Sequence, residues 1–285
     1  MAKKIGMIII NYNDYDTTKR LLDNISKYKC LEKIVVVDNN SSDDSYKKLK
    51  RIKRKNLVIL KNDNNTGYAS GINMGAKYLI EELGKLNIIV SNSDVIINDE
   101  NDIKMLSSHI KKDVAVSAPV IFENNKLNRG WKLSKVSHEI LFNLPKLHRH
   151  YRKKYSLYDE SHYDKDTSIV DVVSGCFFMI DSNALQRVDY LDENTFLYYE
   201  ELILADKLKK INKKELIDNR IVVIHDHSVT IDKKYDRINK YKVLKESQKY
   251  YVKKYLKASK IKLFFLALTS KFSLLLIRIR NLFRR

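Results

Sequence analysis

At 285 residues the chain is long enough for one large α/β domain, or for a domain with an appendage, at roughly 150 residues per domain. Apolar residues make up 44%, and with only 7 Gly and 2 Pro the composition excludes a disordered, collagen-like or turn-rich all-β chain. The charge is +19, from 54 Lys and Arg against 35 Asp and Glu, which draws the chain to a polyanion: nucleic acid, anionic lipid or a phosphorylated ligand.

The chain opens on the basic Met1–Lys4 and the short apolar run Ile5–Ile10, too brief for a signal peptide. No uncharged apolar segment reaches the roughly 18 residues of a membrane span, so neither secretion nor an ordinary transmembrane anchor is expected. Cys30 and Cys176 are too few for a disulfide framework or a four-thiolate zinc site, which fits a reducing compartment. The runs Met7–Ile10, Ile34–Val37, Leu57–Leu60 and Ile88–Val90 read as strands buried on both faces of a parallel sheet. Thr17–Tyr28, with Asp16 as N-cap, and Ser70–Leu83 read as the helices between them. This alternation is the βαβ signature. Val114–Phe122, Val170–Ile180 and Ile221–Ile224 are further strands, and Glu200–Lys210 is a helix. The stretch 123–165 is irregular, and 235–285 is helical throughout. The expected architecture is therefore one α/β domain over residues 1–234, with a mostly parallel, Rossmann-like central sheet flanked by helices. A basic amphipathic helical extension over 235–285 follows.

Open parallel sheets bind ligands beyond the carboxyl ends of their strands. All four early strands run into polar clusters: Asn11-Tyr12-Asn13, Asp38-Asn39-Asn40-Ser41-Ser42-Asp43, Asn64 to Asn73, and Ser91-Asn92-Ser93-Asp94. Any one such loop could serve only to turn the chain and cap a helix. Four together suit a nucleotide, with Asp38 accepting from a ribose hydroxyl or a base imide. Gly67 and Gly71 allow close backbone approach, and the helix from Ser70 aims its amide dipoles at the crevice. Neither a Walker A sequence nor a Gly-x-Gly-x-x-Gly is present, which removes the best support for an ATPase or a classical dinucleotide site.

The order of these motifs resembles the inverting family 2 glycosyltransferases of the GT-A fold, among them bacterial rhamnosyltransferase-like enzymes of cell-surface polysaccharides. Ile8 to Asn13 is similar to their first strand and loop, Ile34 to Asp43 to their nucleotide-binding aspartate segment, and Asn65 to Gly75 to their Asn- and Gly-rich loop. Asn92-Ser93-Asp94 stands where the family has Asp-x-Asp, so the first aspartate is missing. Phe196-Leu197-Tyr198-Tyr199-Glu200-Glu201 resembles the segment whose second acidic residue is the base, with Glu in place of the commoner Asp. His225-Asp226-His227-Ser228 and Ser174 to Phe178 resemble two later segments.

The resemblance implies sugar transfer from a nucleotide donor with inversion, aided by Mn²⁺ or Mg²⁺. It places the donor on Asn11, Asn13, Asp38, Asn40, Asn65, Gly67, Asn73, Asn92, Asp94 and Gly175. It gives the metal to Asp94 and His225, and the acid–base work to Glu201 beside Glu200. One carboxylate, phosphate oxygens and water suffice for such a cation, and a single displacement needs one general base. The relaxed metal motif leans the donor towards a dTDP- or UDP-linked sugar of rhamnose type. His227 could lie on the same side as His225. Arg129-Gly130-Trp131 reads as a flexible lid, with Trp131 either a platform under a sugar ring or a core residue.

From residue 252 to 285 there are ten basic residues and no acidic one. On a helix, at about 100° per residue, Lys260, Lys271 and Arg278 fall within about 20° of one another, away from most of the Leu, Phe and Ile. That favours a helix lying on an anionic membrane surface; the alternative is a helix packed on the domain or on a second subunit. No nucleic-acid-binding motif is present. The expectation is thus a cytoplasmic enzyme, peripheral on the inner face of the cell membrane and open to homodimer formation, acting on a lipid-linked saccharide. The rival readings are a non-catalytic membrane- or nucleic-acid-binding scaffold and a sugar-nucleotide pyrophosphorylase.

Overall fold

The computed structural model describes residues 3–145, 147–226 and 237–282. In chain order the first half holds β1 (Lys4–Asn11), α1 (Tyr15–Asn24), β2 (Leu31–Asp38), α2 (Ser45–Leu49), β3 (Leu57–Lys61), α3 (Tyr68–Leu83), β4 (Leu86–Asn92), β5 (Val95–Ile96), α4 (Glu100–His109), β6 (Val114–Glu123) and β7 (Lys126–Asn128). The second half holds α5 (Val136–Phe142), α6 (His148–Tyr155), β8 (Thr167–Val170), β9 (Phe177–Asp181), α7 (Ser182–Arg187), α8 (Glu200–Lys210), β10 (Lys214–His225), α9 (Arg237–Lys254) and α10 (Lys260–Leu282).

The sheet runs β3-β2-β1-β4-β9-β6-β10-β5, with β7 added to β6 and β8 to β10. The first four strands are parallel, with Ile8 opposite Val35 on one side and Val90 on the other. β9 is antiparallel to both β4 and β6, and β10 is parallel to β6. Six long strands therefore share one direction, with β9 reversed among them. Their carboxyl ends, and the amino end of β9, gather along one edge.

The apolar runs alternate between two cores. Ile8, Val35, Val37 and Val90 pack with Ile72, Ala76 and Leu79 of α3 on one face. Met7, Ile9, Val36 and Ile89 pack with Leu21, Leu22, Ile103 and Leu106 on the other. Burial on both faces is why these strands carry no polar alternation. Two sequence expectations shift here. The first helix begins at Tyr15, so Asp16 lies in its first turn, where it complements the helix dipole instead of capping. The single strand expected over Val170–Ile180 is two, β8 and β9, divided by a loop over 171–176. The stretch 123–165 contains β7, α5 and α6.

α9 is docked on the domain through a third cluster of Ile203, Tyr251, Val252 and Leu266. Asp192 anchors it: its Oδ2 accepts from Tyr250 Oη (2.7 Å), Lys254 Nζ (3.0 Å) and Tyr255 Oη. Burial pushes the Asp192 carboxyl up, but hydrogen bonds from Tyr255, Asn194 and Tyr250 outweigh it and hold the group well below the usual carboxylate range. A carboxylate with a depressed native pKa contributes stability above its unfolded value, about 3.9, and loses it as the pH falls towards the native value. Asp192→Ala is therefore expected to cost about 1–3 kcal/mol at neutral pH, with the gap to wild type narrowing below pH ~4. Urea denaturation at both pH values checks this.

Candidate active site

The ends of β1 and β2 are bound to each other. Asn11 Nδ2 donates to Asp38 Oδ2 (2.7 Å), Asn11 Oδ1 accepts from Thr18 Oγ1 (2.8 Å), and Asp38 also accepts from the Ser41 amide (2.9 Å) and hydroxyl (2.6 Å). Both side chains are buried with no exposed surface. Asn13 accepts from the Ser42 amide (2.7 Å). It is left-handed, with φ 51°, as is Asn40 with φ 60°, and both remain partly exposed where the loops open.

The next loop enters α3 through Gly67, whose φ of +120° and closeness to Phe196 exclude a side chain: a Cβ there would lie 2.5 Å from the Phe196 carbonyl oxygen. Asn65 Oδ1 accepts from Asn39 Nδ2 (3.1 Å) and from the Gly67 amide (3.2 Å). Asn73, one turn into α3, spends its amide on the Leu191 backbone and on Glu193 Oε1 (2.8 Å) and is buried. Asn11, Asp38 and Asn73, expected on the donor, thus shape the crevice from behind in this conformation. Asn13, Asn40, Asn65 and Asn92 keep exposed surface.

The decisive convergence involves β4, β9, β10 and α8. Tyr68 Oη donates to Asn92 Oδ1 (2.7 Å) and lies 3.1 Å from the Gly175 carbonyl oxygen. Gly175 faces Glu201, since a Cβ on Gly175 would sit 3.7 Å from Glu201 Oε2. Asn92 Nδ2 lies 3.4 Å from His225 Nε2, and that nitrogen is 3.1 Å from Asp94 Oδ1. The short β5 pairs antiparallel with the end of β10 and sets His225 beside Asp94. On its other side the ring meets Glu123 Oε2 at 3.0 Å. Burial pushes the His225 pKa down, but hydrogen bonds to Asp94, Cys176 and Glu123 more than offset it, raising it to about 12.

Among the described residues no three His, Cys, Asp or Glu side chains are grouped to hold a metal ion. Asp94 offers one carboxylate, which with phosphate oxygens and water fits a hard divalent cation; His225, held as an imidazolium between Asp94 and Glu123, would have to release its Nε2 proton to join it. Glu123 holds the other ring nitrogen, Nδ1, and so fixes the orientation of the imidazole. His227 lies outside the described residues.

The backbone entering α8 is unusual. Tyr198 and Tyr199 are both left-handed, with φ 73° and 74°. Such residues are strained unless their surroundings hold them. Three bonds do so: Tyr68 N to the Phe196 carbonyl (3.0 Å), Ser247 Oγ to the Leu197 carbonyl (2.8 Å), and Tyr199 Oη to Glu139 Oε2 (2.6 Å). The buried Glu139 also accepts from Gln248 Nε2 (2.7 Å) and Ser134 Oγ. Burial raises the Glu201 pKa against a lowering by its own backbone amide and Arg152. Burial and the Glu201 charge raise that of Glu200. Glu200 is nearly enclosed, its Oε1 has no hydrogen-bond partner, and its pKa is pushed up to about 8.

Sequence reading missed Tyr68, Glu123 and the Glu139–Tyr199–Gln248 link. Only a spatial contact marks these residues, since each comes from an element distant in the chain. The segment 129–131, expected as a flexible lid, is instead stitched to Val172 by two backbone bonds of 2.9 and 3.0 Å through Trp131. Gly130 has φ +78° there, and a Cβ would meet the Val172 carbonyl oxygen at 2.5 Å.

The model of glycosyl transferase family 2 matches residues 7–189, which is most of the sheet and the whole nucleotide side of the crevice. The chain belongs to glycosyl transferase family 2. A hexosyltransferase of low-salt glycan biosynthesis, Agl10 of Haloferax volcanii, is 27% identical over 215 residues, covering 74% of this chain and 64% of that protein. The chain thus spans a little under two thirds of that relative's length. Among solved structures, GalNAc-T7 with UDP, GalNAc and Mn²⁺ superposes with a TM-score of 0.60 at 15% identity, over 79% of this chain and 44% of that one. A mannosyltransferase of Pyrobaculum calidifontis with GDP-Man and Mn²⁺ also gives 0.60, at 12% identity over 96% and 72%. TarS of S. aureus gives 0.53 at 15% identity over 88% and 72%. The fold of this family 2 enzyme is GT-A, with the two C-terminal helices added.

Gly67 joins the loop after β3 to the loop before Glu200. Gly67→Ala is expected to cost about 1–3 kcal/mol for its left-handed backbone, and more if Phe196 cannot yield. Chemical denaturation measures the loss, and a parallel fall in transferase turnover reports the displaced loop.

Proposed function

We propose that this glycosyltransferase moves a sugar, with inversion, from a nucleotide-sugar to a hydroxyl of a lipid-linked saccharide in surface polysaccharide assembly. The observation that carries this reading is the placement of Glu201 against Gly175, one hydrogen-bonded tyrosine away from the Asn92–His225–Asp94 group. The donor lies across the β1–β4 loops, with Asn13, Asn40, Asn65 and Asn92 offering exposed amides. Asp94 and His225 would hold Mn²⁺ or Mg²⁺, which when bound offsets the charge of the leaving diphosphate. Glu201 takes the proton of the acceptor hydroxyl as its oxygen bonds the anomeric carbon, and the bond from that carbon to the diphosphate oxygen breaks on the opposite face. The neutral Glu200 beside it keeps a second negative charge out of the site. UDP and GDP-Man in the structural neighbours support a nucleotide-sugar donor, and the relaxed Asn92-Ser93-Asp94 motif leads us to favour a dTDP- or UDP-linked deoxysugar.

The C-terminal extension adds the location. No helix among the described residues is long and apolar enough to cross a membrane. α10 nonetheless exposes Phe264 (63%), Leu268 (52%), Phe272 (51%) and Leu275 (51%) beside Lys271. An exposed apolar face edged by cations suits the surface of an anionic bilayer, here the inner face of the cell membrane.

Four measurements test these roles. UDP or dTDP with Mn²⁺ should stabilise the protein by about 2.7 kcal/mol at a hundredfold excess over Kd; a scaffold would show no shift with either. Glu201→Gln should keep that shift while turnover falls roughly 10²–10⁴-fold. Because the base must be ionised and burial raises its pKa, wild-type kcat/KM should fall as the pH drops through a value above the ordinary glutamate pKa of about 4.3. Glu200→Gln, which mimics the protonated acid, should leave that limb in place. Phe264→Asp with Phe272→Asp should abolish co-sedimentation with anionic vesicles, and undiminished binding would remove the membrane assignment.

A further inference from the structure

Between α9 and α10 lies a groove of about 340 Å³. Leu266 and Leu274 give it an apolar floor, and Lys242, Lys245 and Lys249 of α9 face Lys271 of α10 across it. The three α9 lysines recur at helical spacing, so they share one side of that helix. Glu246 is the single carboxylate among the residues lining it.

Lys245 is the informative member. Its ammonium is partly buried and donates to two neutral amide oxygens, Asn143 Oδ1 (2.5 Å) and Gln248 Oε1 (3.0 Å). Burial pushes its pKa down to about 8, against the pull of Glu139. A cation held by neutral partners away from water carries a desolvation cost that an incoming anion relieves. Four cations facing one anion set an anionic occupant, and they oppose a second copy of this basic chain. The wall formed by α10 continues outward into the exposed apolar face, which an inorganic anion or a nucleotide would leave bare. The chemistry that satisfies both parts is a phosphate head on a hydrocarbon chain.

The groove also reaches the catalytic loop. Gln248 lines it and donates to Glu139, which accepts from Tyr199, the residue before Glu200. Arg152 acts electrostatically on both Lys245 and Glu201.

We propose that the α9–α10 groove seats the phosphate monoester or diphosphate head of a membrane lipid, with its chain lying along the exposed face of α10. Naming that lipid as the carrier of the sugar acceptor rests on the function proposed above; head-group binding rests on the groove alone.

The test uses the full chain with phosphatidylcholine vesicles carrying either phosphatidic acid or phosphatidylserine at matched surface charge. Tighter binding to the phosphate monoester is expected. Lys249→Glu with Lys271→Glu, both at exposed positions, should weaken that binding about thirtyfold or more, from the surface attraction of two lysines. The thermal midpoint and the UDP–Mn²⁺ shift should stay unchanged. Equal binding to the two vesicles, or an unaffected double variant, overturns the proposal, because surface charge alone then explains the contact. Inorganic diphosphate is the free-anion arm. If it stabilises the protein as fully as the vesicles do, and that effect vanishes in the double variant, the site reads free phosphate and the lipid assignment falls. Retained lipid preference with no UDP–Mn²⁺ shift would leave the groove standing and remove the transferase reading instead.

Discussion

The Tyr68 hydroxyl holds the site together. It starts α3, yet its bond to Asn92 Oδ1 fixes the end of β4 and its contact with the Gly175 carbonyl fixes the loop before β9. Burial raises its pKa far above the phenol range, with the nearby Asp94 and Glu201 carboxylates adding to the shift, so it stays a neutral donor. That one oxygen links Asn92, which lies beside His225 and Asp94, to Gly175, which faces Glu201. The sheet ladder sets Ser91 opposite Phe177 and brings the Asn92 amide to the Cys176 carbonyl (2.8 Å), and the Tyr68 hydroxyl ties α3 to that paired end.

What the sequence made legible follows from burial. β1, β2 and β4 are covered on both faces, so their apolar runs stand out, and the polar clusters after them mark the edge where a ligand belongs. The helix over Glu200–Lys210 was legible to the residue, because Glu200 and Glu201 open it and Lys207, Lys209 and Lys210 close it. The reversed β9 was not, because an antiparallel insertion leaves no periodic mark; Val170 to Ile180 reads as one apolar run although a turn at Gly175 divides it. The partners of the loop amides were not legible either, for the same kind of reason. Asn11 and Asn73 look like ligand-binding amides in a linear motif, but sequence does not disclose that Thr18 and Leu191 consume them.

The C-terminal helices belong to the mechanism as well as to the surface. Ser247 and Gln248 of α9 hold the Leu197 carbonyl and Glu139, so the segment before Glu200 and Glu201 is tied to α9 while the β1–β4 loops are tied to the sheet. The two halves of the crevice thus rest on different foundations: β-branched residues in a parallel sheet on one side, a buried polar knot between α5, α8 and α9 on the other. Charge follows the same division, with the residues after 252 carrying only positive charge.

The paired left-handed tyrosines before Glu200 give that division a direction. Each costs about 1–2 kcal/mol that glycine would avoid, and the chain keeps tyrosine because the Tyr199 hydroxyl is the hook on Glu139. The turn before Glu200 is therefore a latch under tension, gripped by α9 from one side and by the start of α3 from the other. A chain trimmed of its last helices is expected to keep the bonds among the sheet-borne loops and to loosen that turn.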